Sequence, residues 1–136
     1  WAVVMESLSA APLLLYLGAV SWTIGYDTIY AHQDKEDDAL LGLKSTALKF
    51  GDKTKPWMVL FYGIAFAGIA AAGFLAGGGK IFCAGMIAAA LHMGWQIATL
   101  DVSDAQNCLT RFRSNRDLGG IILIAIVAEM AARAIG

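Results

Sequence analysis

The chain has 136 residues, 58% of them hydrophobic, and a formal net charge of −1. An ordinary soluble domain is about 45–50% apolar, so the composition argues against a water-soluble enzyme and for a partner made of lipid. The near balance of charge argues against a nucleic-acid-binding protein, and no zinc-ligand spacing is present among the two cysteines.

The apolar residues fall into four runs. A bilayer core is about 30 Å thick and takes about 20 apolar helical residues to cross. Residue 1 is Trp rather than Met, and the chain is expected to begin inside a larger protein, with Trp1–Leu8 the tail of an earlier span and Ser9–Pro12 a short connection. The first span is expected over Leu13–Tyr30 and the second over Trp57–Gly77, with Pro56 in its first turn, where a missing N–H costs nothing. Trp57 beside it suits the membrane interface. Gly77-Gly78-Gly79-Lys80 predicts a tight turn into a third span, Ile81–Leu100, and a fourth runs over Leu118–Gly136. Gly73 and Gly77 form a small-xxx-small pair, and Ala65, Ala70, Ala71 and Ala72 keep that helix slim, which suits close packing in lipid. The fold class is therefore all-α, a multi-span transmembrane bundle with about four spans.

The two long connections carry the charge. Ala31–Lys55 holds Lys35, Lys44, Lys49, Lys53 and Lys55; Asp101–Asp117 holds Arg111, Arg113 and Arg116. With four spans both lie on one side, and only Lys80 and Arg133 remain for the other. The positive-inside rule places both long loops on the cytoplasmic or matrix side. Cys83 and Cys108 then sit on opposite sides, too far apart for a disulfide.

Five of the eleven acidic residues crowd into Asp27-Thr28-Ile29-Tyr30-Ala31-His32-Gln33-Asp34-Lys35-Glu36-Asp37-Asp38. If the first helix continues through this segment at about 100° per residue, Tyr30, Asp34 and Asp38 fall within a sector of about 80° around Asp27. Carboxylates stacked at i,i+4 repel unless a cation joins them. Oxygen-only ligands select a hard ion, and Mg²⁺ is commonly shared between one or two carboxylates and substrate phosphates. The pattern thus suits a metal-bridged phosphate or diphosphate at a membrane surface, with Lys44, Ser45 and Arg111 available to the same anion. A plain solvated loop is the alternative reading of such a run, and a calcium loop is disfavoured because there is no Asp-x-Asp-x-Asp-Gly turn.

This segment, running on into Gly42-Leu43-Lys44-Ser45-Thr46, resembles the second Asp-rich motif of UbiA-type intramembrane prenyltransferases, and Trp22–Gly51 is closest to the 4-hydroxybenzoate polyprenyltransferase branch. Asp101, Asp104, Cys108, Phe112 and Asn115 are similar to that branch's later loop. The resemblance implies the C-terminal part of a single, roughly nine-helix membrane-embedded domain, here residues 1–136. It implies transfer of a polyprenyl group from polyprenyl diphosphate to 4-hydroxybenzoate in ubiquinone biosynthesis, in a bacterial inner or mitochondrial inner membrane. It carries Asp27, Asp34 and Asp38 over as Mg²⁺ and diphosphate carboxylates and Tyr30 as the motif tyrosine, with Lys44, Ser45 and Arg111 toward the diphosphate. The family's first motif, of the Asn-Asp-x-x-Asp type, is absent from these residues; it is expected upstream of Trp1, and this polypeptide alone is expected to be inactive.

His92, Gln96 and Thr99 share one face of the third span and either line the cavity or bond between helices. Glu129 is expected to meet solvent or Arg133, and Asp101 and Asp104 to cap the mouth or shape a turn. Two other functions compete: the same chemistry on another aromatic or tetrapyrrole acceptor, and a bundle that binds or transports cations through the acidic stripe. The scarcity of charge in mid-span disfavours the second.

Overall fold

The computed structural model describes residues 9–135, which are helical throughout apart from short turns and contain no strand. The expectations for Trp1–Leu8 and for Gly136 lie outside them. Four long helices stand where the apolar runs predict: α1 (Ala10–Ala31), α4 (Thr54–Leu75), α5 (Lys80–Thr99) and α7 (Asn115–Ile135). Two short helices, α2 (Lys35–Leu40) and α3 (Thr46–Phe50), and a 3₁₀ turn at Gly51–Lys53 fill the first long connection; α6 (Ala105–Arg113) fills the second. Pro12 and Pro56 each fall in a first turn, where no intrahelical donor is lost.

By length and composition three segments can cross a membrane: Thr46–Leu75, Lys80–Thr99 and Ala105–Ile135. The helix α1 is as long as α4, but Ser21, Thr23, Tyr26 and Asp27 interrupt its apolar run, and the first expected span, Leu13–Tyr30, is not among these three. Large apolar side chains such as Leu17, Leu91, Leu123 and Ile124 point outward, as lipid-facing residues do. The protein is an all-α membrane bundle.

The helices pack in two pairs. Along α1 the buried residues Gly18, Ser21, Gly25 and Thr28 recur at three- and four-residue steps, and Met58, Tyr62, Ala65, Ile69 and Ala72 do the same along α4. These stripes meet backbone to backbone. A Cβ on Gly68 would lie 2.7 Å from the Leu14 carbonyl oxygen, and one on Gly18 would lie 3.1 Å from the Ala65 carbonyl oxygen. Ser21 Oγ donates to the Phe61 carbonyl at 2.9 Å across the same seam, and Gly25 makes room for the Tyr62 ring. The close crossing therefore uses Gly18 and Gly68. Gly73 instead accommodates the Phe82 ring of α5, and Gly77, at φ 89°, forms the turn. The second pair, α5 and α7, closes where Gly85 lies against Ala125.

Gly77 and Gly78 end α4 in a Schellman motif, their N–H groups donating to the Phe74 and Gly73 carbonyls. The N-cap of α5 is Gly79, which has no side chain to offer its first N–H groups. Glu129 of α7 takes that role: Oε2 accepts from Ile81 N and Phe82 N, each at 3.1 Å, while Oε1 pairs with Arg133 at 3.1 Å. The expected Glu129–Arg133 bond is present, and the carboxylate also meets the positive end of a neighbouring helix. Cys83 is exposed and Cys108 buried, both free.

Replacing Gly68 with Leu should force α1 and α4 apart and lower stability by about 2 kcal/mol or more, the range of overpacked contacts. Thermal unfolding in detergent measures it, with Gly63→Leu, which meets nothing within 4 Å at Cβ, as the mild control.

Candidate functional site at the polar end of the bundle

The long connections gather at one end, because side chains tie them there. His32, the C-cap of α1, bonds Thr54 at the start of α4, and Trp22 and Tyr62 both reach Asn115 at the start of α7. The acidic segment does not continue α1. The helix ends at Ala31, with His32 N and Gln33 N turning back to Ile29 and Tyr30, and α2 begins after Asp34. This corrects the single-face stripe: Asp27 and Tyr30 belong to α1, Asp34 is the N-cap of α2, and Asp38 lies within α2. The physical reason lies in the charge. A new helix beginning here places Glu36, Asp37 and Asp38 in its first turn, beside unpaired N–H groups. A continuous helix would have left them in its last turns, facing the negative end of its dipole.

The break is held from below by His32, which is 5% exposed. Its Nε2 lies 2.8 Å from Thr54 Oγ1, and Thr54 spends its single proton on the Gly51 carbonyl at 2.7 Å. The imidazole is thus the donor, protonated on Nε2. Burial, followed by the Lys35 charge, pushes its pKa below the ordinary histidine value, and the Val102 carbonyl offsets this in part.

Asp27 and Asp34 are exposed and Asp38 half-buried. Among the described residues none of them makes an ion pair, and no three His, Cys, Asp or Glu side chains gather closely enough to cage a metal. These carboxylates are oxygen donors, the ligand type a hard divalent cation takes, but form no all-protein cage among the described residues. Lys44 is exposed in the turn after α2, and Ser45 caps α3 by accepting from Leu48 N at 3.4 Å, which leaves its hydroxyl proton free. Arg111 lies elsewhere, its guanidinium 4.2 Å from the centre of the Trp95 ring.

Tyr30 joins the acidic segment to an aromatic cluster. Its ring packs on Phe112 of α6 at 4.8 Å; Phe112 also meets Tyr26 at 5.9 Å, and Tyr26 meets Trp22 at 6.2 Å. Trp22, Tyr26 and Phe112 wall a cavity of about 1150 Å³ between α1 and the α6–α7 elbow. Asn115 fixes the wall with all four of its hydrogen bonds. Its Oδ1 accepts from Trp22 Nε1 at 2.8 Å and Tyr62 Oη at 3.2 Å, while Nδ2 donates to the Arg111 and Phe112 carbonyls. Sequence reasoning did not single out Trp22 or Tyr26, although their i,i+4 spacing with Tyr30 was a readable signal.

Gln96 is buried and donates to Ser114 Oγ at 2.7 Å, an interhelical bond, and Thr99 bonds back to the Trp95 carbonyl. His92 packs edge-on to Trp95. Asp101 accepts from the Ser103 hydroxyl and N–H, which hold its carboxyl below the usual range, and Asp104 caps α6 through Gln106 N and Asn107 N. Both shape the loop.

A helical bundle with long apolar helices, an acidic helix break at one end and an aromatic-lined cavity is that of an integral membrane protein. The chain belongs to the UbiA prenyltransferase family, whose sequence profile matches residues 1–125. It is 46% identical over 128 residues to the protein of Arabidopsis thaliana named 4-hydroxybenzoate polyprenyltransferase, mitochondrial, with 93% of this chain and 31% of that one covered. The proteins of the same name are 43% identical in Homo sapiens (93% and 34% covered) and 37% identical in Caenorhabditis elegans (95% and 36% covered). The chain thus spans about a third of the length of these relatives. No solved structure matches it.

Asn115→Leu should leave the Trp22 and Tyr62 donors unpaired and lower stability by about 1–3 kcal/mol. Unfolding in detergent should show the loss; a melting curve unchanged from the parent would mean the four bonds contribute nothing.

Proposed function

We propose that this chain is the C-terminal part of a 4-hydroxybenzoate polyprenyltransferase, which moves a polyprenyl group from polyprenyl diphosphate to 4-hydroxybenzoate in ubiquinone biosynthesis. One observation carries the reading. Asp27, Asp34 and Asp38 flank a helix break at the polar end of the bundle, Tyr30 beside them packs on Phe112 of a cavity wall, and the carboxylates are free of ion-pair partners among the described residues. The identity to relatives of that name over nearly the whole chain supports it.

In this reading Asp27, Asp34 and Asp38 hold Mg²⁺ against the donor diphosphate. When bound, the ion neutralises charge that develops on the leaving diphosphate. Tyr30 donates its hydroxyl to a phosphate oxygen or turns its ring toward the allylic cation. Lys44 adds positive charge, and Ser45, already accepting from Leu48 N, donates its free proton to the same anion; Arg111, held on the Trp95 ring, takes no part. The carbon–oxygen bond breaks with its electron pair going to diphosphate. The ring carbon ortho to the acceptor hydroxyl forms the new carbon–carbon bond, and the ring proton leaves. The apolar walls keep water from the cation. The family's first Asp-rich motif does not occur in these 136 residues, and in this reading it belongs to a facing half-site that completes the grip on the diphosphate. The basic loops set the acidic mouth on the cytoplasmic or matrix side.

In the full-length protein, Asp27→Asn, Asp34→Asn and Asp38→Asn should each lower kcat/KM for the prenyl donor by about a hundredfold or more, the scale of losing a charge-stabilising group in the transition state. Chelation should abolish turnover and added Mg²⁺ restore it. Undiminished turnover in all three variants would refute the assignment, and product only from a different aromatic acceptor would move the protein to another branch of the family.

A further inference from the structure

The aromatic cavity contains one unspent charge. Of the ionic groups that line it, Asp117 is taken by Arg116 at 2.9 Å. Arg113, the last residue of α6, also lines it, and among the described residues it has no carboxylate within ion-pair distance. The neighbouring Arg111 has its guanidinium on the Trp95 ring. The lining therefore carries a net single positive charge beside Tyr26 and Phe112.

That arrangement complements a small aromatic monoanion. A carboxylate in the cavity would be drawn to the unpaired Arg113 guanidinium on its α6 side. A guanidinium offers it two parallel N–H donors. An aromatic ring extending from that pair would lie along Tyr26 and Phe112, where offset or edge contacts are favourable. Because Phe112 also touches Tyr30, such a ring ends one side chain away from the acidic motif.

Resting on the function proposed above, we propose that Arg113 is the carboxylate anchor of the aromatic acceptor, with Tyr26 and Phe112 as the wall against its ring. The acidic mouth and the basic elbow then divide the substrates by charge: the cation-bound diphosphate goes to α1 and α2, the benzoate to α6. Anchoring at the carboxylate points the opposite, hydroxyl-bearing end of the ring toward the bond being broken.

The test compares steady-state kinetics of the full-length protein with Arg113→Gln and Arg113→Lys, using 4-hydroxybenzoate and its neutral analogue 4-hydroxybenzamide. Arg113→Gln should raise KM for 4-hydroxybenzoate by about ten- to a hundredfold, the worth of a charge-assisted hydrogen bond. The KM for polyprenyl diphosphate should stay unchanged, the preference for the acid over the amide should disappear, and Arg113→Lys should recover part of the loss. An equal rise in both KM values, or a retained preference for the acid, would show Arg113 to be structural and overturn the inference alone. A parent protein that prenylates no 4-hydroxybenzoate would overturn the proposed function and this inference with it.

Discussion

The contact between the backbones of α1 and α4 sets the rest of the structure. Gly18 and Gly68 let the two helices touch without side chains between them, and this fixes both the separation and the rotation of α1. From that rotation follow the Ser21–Phe61 bond, the seat of Tyr62 against Gly25, and the arrival of His32 at Thr54. The opposite face of α1 then presents Trp22, Tyr26 and Tyr30 to α6 and α7. A helix with bulky residues on the seam would stand farther off, and neither the histidine tie nor the aromatic wall would close. In lipid, where apolar contact alone gives helices little reason to associate, such close approach supplies the packing that holds them.

The break after Ala31 is the second determinant. It arises from two local demands with the same answer. His32 is drawn under the bundle to Thr54, and the acidic triplet that follows is best placed at the beginning of a helix. The result is a corner with carboxylates on both sides of it. This corner is more open than a straight stripe would be.

The fold was largely legible because the spans announce themselves by length: each apolar run became a helix within a few residues of its expected ends, and the triglycine turn fell where expected. Charge counting grouped the two long loops, and hydrogen bonds bring them to one end. What escaped was tertiary. Periodicity extends a helix until something stops it, and the stop at His32 comes from a residue on another helix. The packing glycines were misjudged for the same reason: Gly73 and Gly77 have the right spacing, but only a partner helix reveals that Gly18 and Gly68 make the crossing. Asn115 gave no signal beyond its place in a loop that resembles the family's, since an asparagine that satisfies four partners looks in sequence like any other.

The far end of the bundle shows how a residue without a side chain shapes its neighbour. Gly79 leaves the first turn of α5 open, and Glu129 fills that opening from α7; a Cβ at position 79 would collide with the carboxylate. Positions 79 and 129 are therefore locked as lid and slot. A serine or aspartate at 79 would supply the cap locally and displace the Glu129 carboxylate from it, so the two helices share one capping role between them.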